Sequence, residues 1–137
     1  MPKLDFAFLA HAAMVDNLGL ISVLGAGISL LRGHQFPLRQ QLTLVGRITW
    51  DGSEADVAHV LRVVVLHPDG ETLHDEHHSM PAVGLPPDPD MQSFSGFALP
   101  LPLEVRRPAL YQVLIRLDGD ELARLPLRAE SLLPQPT

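Results

Sequence analysis

The stretch Tyr111-Gln112-Val113-Leu114-Ile115-Arg116-Leu117-Asp118-Gly119-Asp120-Glu121-Leu122-Ala123-Arg124-Leu125-Pro126-Leu127 decides the fold class. Tyr111, Val113, Ile115 and Leu117 recur at every second position, with Gln112, Arg116 and Asp118 on the other phase. Successive side chains of a strand point to opposite faces, so the first set faces a core and the second faces water. Asp118-Gly119 is a turn pair: glycine accepts positive φ freely and aspartate tolerates it. Ala123, Leu125 and Leu127 then resume the inward phase, with Arg124 and Arg128 outward. The whole reads as a β-hairpin.

Upstream, the same period recurs between turn signals. Ser95, Phe97, Leu99, Leu101 and Leu103 alternate with Pro100 and Pro102 on the opposite phase, which predicts an edge or irregular strand because proline lacks an amide donor. Residues 83–90, with a glycine and three prolines, read as a loop. Residues 57–67 contain Val60-Leu61-Arg62-Val63-Val64-Val65-Leu66, an almost continuous apolar run that suits a central strand. Pro68-Asp69-Gly70 closes a hairpin onto a returning strand, 71–78. Leu42, Leu44, Gly46, Ile48 and Trp50 give another alternating strand, with Pro37 opening it at an edge. At the start, Leu4, Phe6, Phe8 and Ala10 are expected to face the core. Asp16-Asn17-Leu18-Gly19 is a turn, residues 20–24 and 28–31 are short strands, and residues 32–35 are a connection.

Eight or nine short strands with turn signals every 8–15 residues predict an all-β fold. The expected architecture is an antiparallel β-sandwich of about eight strands, Ig-like or C2-like, with a small barrel as the alternative. Residues 1–129 form one domain and residues 130–137 a flexible C-terminal tail. A chain of 137 residues buries enough surface to fold without a disulfide or structural metal.

Composition removes several function classes. The absence of cysteine excludes disulfide frameworks, Cys-ligated zinc, iron–sulfur clusters and thiol catalysis. A net charge of -6 opposes binding to a phosphate backbone or an anionic membrane. Arg32, Arg39, Arg47, Arg106 and Arg107 are scattered and form no aromatic-plus-basic platform for nucleic acid. No apolar run is long enough to span a bilayer as a helix. Asp5 and His11 interrupt the N-terminal apolar segment, which is read as a strand rather than a leader, and the expected location is cytoplasmic. Gly25-Ala26-Gly27 starts like a dinucleotide fingerprint, but Leu30 stands where the third glycine is needed. No serine lies in a Gly-x-Ser-x-Gly elbow.

Two constellations carry candidate chemistry. Five of the seven histidines fall within 59–78: His59, His67, His74, His77 and His78, interleaved with Asp69, Glu71, Asp75 and Glu76. Side chains two apart on a strand share a face, about 7 Å per step. His74, Glu76 and His78 therefore form a row, with His67 across the turn, and these four are the candidate metal ligands. The alternative is a solvated face of mixed charge. The acidic turns Asp69, Asp88, Asp90, Asp118, Asp120 and Glu121 suit loop calcium sites at the end of a sandwich, or simply turn chemistry. No cofactor is expected.

The order of the motifs carries a resemblance: Leu4 to Ala10, Leu24-Gly25-Ala26-Gly27, the His67-Pro68-Asp69-Gly70 hairpin, and the terminal Tyr111 to Leu127 unit. Over residues 3–128 the chain resembles a family of small bacterial proteins of unknown function, common in actinobacteria and read as β-sandwiches. That resemblance implies the fold and assigns no catalytic residue. Several outward phases nevertheless remain apolar (Leu9, Val45, Leu114, Leu122), and a two-sided apolar strand wants a second covering surface. The expected function is a non-enzymatic protein-interaction or assembly module that binds a protein partner or itself, with no nucleic acid and no membrane. The alternatives are a ligand- or metal-binding sandwich using loops 68–91 and a metal-dependent enzyme built on the histidines.

Overall fold

A computed structural model describes residues 2–88 and 90–132 of the chain. In order, the described strands are β1 (Lys3–Ala10), β2 (Ala12–Val15), β3 (Ile21–Leu24), β4 (Leu30–Gly33), β5 (Leu38–Trp50), β6 (His59–Leu66), β7 (Thr72–Met80), β8 (Ser93–Val105), β9 (Ala109–Leu117) and β10 (Asp120–Ser131). A 3-10 turn, Gly52–Asp56, joins β5 to β6. Eight strands build two facing sheets, in the orders β1-β5-β8 and β4-β10-β9-β6-β7, and β2 with β3 makes a separate hairpin. All pairings are antiparallel except β4 with β10, which run parallel. The protein is an antiparallel-dominated β-sandwich of the Ig-like kind. Tyr111 Oη donates to the Arg107 carbonyl at 2.7 Å, forming the tyrosine corner of such sandwiches.

The core follows the period-two reading. Leu42, Leu44, Ile48 and Trp50 of β5 meet Leu61, Val63 and Val65 of β6, Phe97, Leu101 and Leu103 of β8, and Tyr111, Val113 and Ile115 of β9. Gly46 holds the remaining inward position of β5, because a Cβ there would lie 2.3 Å from the Phe97 ring. β8 is an edge strand, as its prolines predict. β5 is the central strand of its sheet, so Pro37 precedes an inner strand rather than an edge.

The inward phase of β1 differs from expectation. The register against β5 slips between Leu4 and Phe6, a bulge at Asp5. One extra residue reverses the phase. Leu4, Ala7 and Leu9 face the core, and Phe6 and Phe8 stack on each other outside it at 5.9 Å. Glu130 and Ser131, expected in the tail, pair with Arg32 and Gly33 of β4, so residues 32 and 33 are also strand rather than connection. Residues 133–137 lie outside the described ones.

The apolar positions expected to face outward are buried or covered within the chain. Leu9 faces the core after the β1 bulge, Val45 and Leu114 are at most 1% exposed, and Leu122 packs half-buried against the core from a bulge in β10. Val45 is buried on the outer face of the three-stranded sheet, and the β2–β3 hairpin folds across that face against β5 and β8. A Cβ on Gly96 would approach Ile21 Cδ1 to 3.2 Å, so glycine here lets the hairpin sit close.

Candidate functional site

β7 pairs with β6 at the edge of the five-stranded sheet, and its inward phase carries His74, Glu76 and His78 opposite Val65, Val63 and Leu61. The row expected from the spacing therefore exists. The Glu76 carboxylate stands between the imidazoles, 3.3 Å from His74 Nε2 and 3.8 Å from His78 Nε2. Both Nε2 atoms are buried without a hydrogen-bond partner. His67 does not join them. It turns to the tyrosine corner, edge-on to Tyr111 at 5.3 Å, where Arg107 Nε donates to its Nε2 at 2.9 Å. Among the described residues no group of three or more His, Asp or Glu side chains is placed to hold a metal ion.

The acidic turns are likewise dispersed. Asp69 sits in the turn after β6, paired with Arg107. The β9–β10 turn lies at the opposite end of β6, where the Asp118 amide donates to the Val60 carbonyl at 2.9 Å. Asp88 accepts from its own Asp90 amide, as turn aspartates do.

The most elaborate polar site is one that the spacing did not show. His59 opens β6 and is 8% exposed. Its Nδ1 lies 2.5 Å from Asp118 Oδ2, and its Nε2 lies 2.7 Å from the Glu54 carbonyl of the 3-10 turn. Asp118 Oδ1 also accepts from the Val60 amide at 2.9 Å. Asp118 reaches this position because its backbone adopts φ 51 in the β9–β10 turn. The Trp50 ring stacks on the imidazole at 4.3 Å, and Trp50 Nε1 donates to Ser95 Oγ at 2.8 Å. Burial alone pushes the His59 pKa down, but the Asp118 and Glu54 hydrogen bonds outweigh it and the net direction is up. Burial raises and His59 lowers the Asp118 carboxyl, with a net fall. Two acceptors on two ring nitrogens fit an imidazolium. Neither nitrogen is left to take a proton from a substrate or to bind a metal.

On the outer face of the three-stranded sheet, Asp5 accepts from Thr49 Oγ1 at 2.6 Å and from Arg47 Nε at 2.8 Å, and both hold its carboxyl below the usual range. The Arg47 guanidinium lies over Phe94 at 4.9 Å and Phe6 at 5.9 Å.

Two concavities adjoin these groups. A cleft of about 650 Å³ runs between the hairpin, the end of β7 and the first half of β8, with Leu18, Met80, Val83 and Phe94 among its walls. A cavity of about 410 Å³ lies beside Trp50, against Ala55, Leu85, Pro86 and Met91. Alongside the cleft stands the hairpin itself. Ala13, Val15, Ile21 and Val23 are half-buried on the sheet side, while the other phase is open. There Met14 is 62% exposed and Leu24, opposite Ala12 at the base, 72%, with Leu18 at 74% and Leu20 at 63% at the tip. The Asp16 carboxylate shapes that tip by accepting from the Leu18 and Leu20 amides at 2.8 and 2.9 Å. The turn at Asp16 to Gly19 is legible in the sequence, but β2 is not, and with it the hairpin's two-faced character.

No curated protein matches the chain. Solved structures similar to it include a "putative beta-galactosidase" from Bacteroides fragilis, at 14% identity over 67% of this chain and 14% of that one, with a TM-score of 0.42. Another is a glycosyl hydrolase family 2 (GH2) member from Bacteroides cellulosilyticus DSM 14838, at 11% identity over 93% of this chain and 15% of that one, with a TM-score of 0.46. The chain thus corresponds to a small part of either protein. A family model matches residues 5–130, nearly the span over which the motif order carried its resemblance, and the chain belongs to that family of unknown function, DUF6941.

Proposed function

We propose that this chain is a non-enzymatic protein-interaction module whose contact surface is the open face of the β2–β3 hairpin. The observation that carries the reading is the cluster Met14, Leu18, Leu20 and Leu24, four large apolar side chains each more than 60% exposed on one small element. Single exposed leucines are ordinary on a protein surface, whereas four such side chains on one short hairpin favour a contact site. The four apolar positions first expected to need a partner are covered by the chain itself. The need for a partner passes instead to the hairpin that does part of the covering. The imidazoles support the non-enzymatic half of the reading: His59 has both nitrogens engaged, and His74 and His78 are turned to Glu76. A net charge of -6 favours a protein partner over nucleic acid or an anionic bilayer.

Site-specific photo-crosslinking in cells that make the protein tests this. A crosslinking residue at Leu24 is expected to trap a polypeptide, another protein or a second copy, and one at the exposed Leu110 of β9 is not. Absence of adducts at Leu24, or equal adducts at both positions, refutes the proposal.

A ligand-binding sandwich using loops 68–91 is the second reading, and one observation favours it: the segment between β7 and β8 contributes walls to both concavities. Shifts in Trp50 emission on screening small apolar molecules would favour it over the first.

A further inference from the structure

His59 connects three parts of the chain that are far apart in sequence. Its Nδ1 meets Asp118 of the β9–β10 turn, its Nε2 meets the Glu54 carbonyl, and its ring lies on Trp50 of β5. The next residue after Glu54 continues the chain of contacts. The Ala55 carbonyl accepts from the Val83 and Gly84 amides at 3.0 and 2.9 Å, and the Gly84 carbonyl accepts from Ser93 Oγ at 2.8 Å. The loop between β7 and β8 is thus held to the 3-10 turn, and the 3-10 turn is held by His59. That loop supplies Leu85, Pro86 and Met91 to the cavity beside Trp50.

We propose that His59 is a protonation latch, which as an imidazolium holds the 3-10 turn and the β7–β8 loop closed over the Trp50 cavity and as a neutral ring releases them. A neutral imidazole has one N–H, so it can serve one of its two acceptors. The charged Asp118 carboxylate keeps that donor, since a charge-assisted bond is the stronger. Nε2 then presents a lone pair to the Glu54 carbonyl at 2.7 Å, and attraction becomes repulsion. The loosened turn carries the Ala55 carbonyl with it, and the loop loses its anchor. The charged groups that act on His59 are Asp118 from the β9–β10 turn and Glu54 from the 3-10 turn; Trp50 from β5, stacked on the ring, and Met80, its cross-strand partner on β7, carry no charge. The latch opens with rising pH, toward an apolar cavity with an aromatic wall.

Trp50 is the single tryptophan, so its emission reads the latch directly. Titration from about pH 5 to about pH 9 covers the range in which a histidine changes charge. The expected result is one sigmoidal red shift with more acrylamide quenching, at unchanged far-ultraviolet dichroism. His59→Gln is expected to abolish the transition and the exposed His77→Gln to leave it intact. Should His59→Gln not fold, amide exchange of the native chain decides: protection factors at Val83 and Gly84 are expected to fall through the same transition. Emission that stays flat, a transition that survives His59→Gln, or unchanged protection at Val83 and Gly84 overturns the latch.

Discussion

His59 and Asp118 set a pH optimum for the fold that neither has alone. The folded His59 pKa stands above its ordinary value of 6.5, so its contribution is fully present below that value and is lost as pH rises through the folded pKa. The folded Asp118 pKa stands below 3.8, so its contribution is present above that value and is lost as pH falls through the folded pKa. Thermal melts are therefore expected to peak between the two, from about pH 4 to about pH 6.5. Asp118→Asn leaves a buried imidazole with a weaker partner and is expected to cost about 2 kcal/mol near pH 6, with a smaller loss at high pH. Chemical denaturation at the two pH values measures this. A second residue-scale prediction concerns Gly46. Alanine there meets a buried aromatic ring, and a loss of about 2–3 kcal/mol is expected by the same method. Alternation correctly placed Gly46 inward, but the identity of its neighbour is a tertiary fact. The His59–Asp118 pair was equally illegible, because 59 residues separate its members and each alone resembles ordinary strand or turn chemistry.

Elements were legible where the backbone keeps its period and illegible where it breaks. β5, β8 and β9 alternate in sequence, and their inward residues follow the pattern read from the chain, while the apolar run of β6 takes an inner place in its sheet. β1 slips at Asp5 and β10 slips at Leu122, and no local signal marks a bulge when the inserted residue is not glycine. The β7 row His74, Glu76, His78 was legible for the same reason as the core: spacing fixes which side chains share a face. Whether His67 reaches the row depends on the turn, and Arg107 draws it elsewhere. In β8 the prolines encode the direction of the ladder. Pro100 faces Thr43 and Pro102 faces Gln41 in an unbroken register, so those positions direct no donor toward β5. Ala98 shares that phase. Ala98→Pro is expected to cost under about 1 kcal/mol, whereas Leu99→Pro removes a donor from the ladder and costs about 3 kcal/mol or more. Comparable melting temperatures for the two variants would show that the register is otherwise.

At the scale of the whole molecule, the two facing sheets followed from the chain's rhythm, but the third layer did not. β2 and β3 are four residues each, too short for periodicity to separate from noise, and their close approach to the sheet depends on Gly96, far along the chain. The histidine-rich edge is expected to stay metal-free: zinc in excess should move the melting midpoint by no more than about 1 °C, since ligand binding to the folded state would raise it.

The functional reading depends on the hairpin having one face down and one face open. Methyl relaxation in the presence of a soluble paramagnetic agent tests this on the dilute protein. Strong enhancement is predicted at the Met14 and Leu24 methyls and weak enhancement at those of Ile21 and Val45. Ile21 and Val45 methyls relaxing as fast as Met14 would contradict it, because the hairpin would then not cover the sheet.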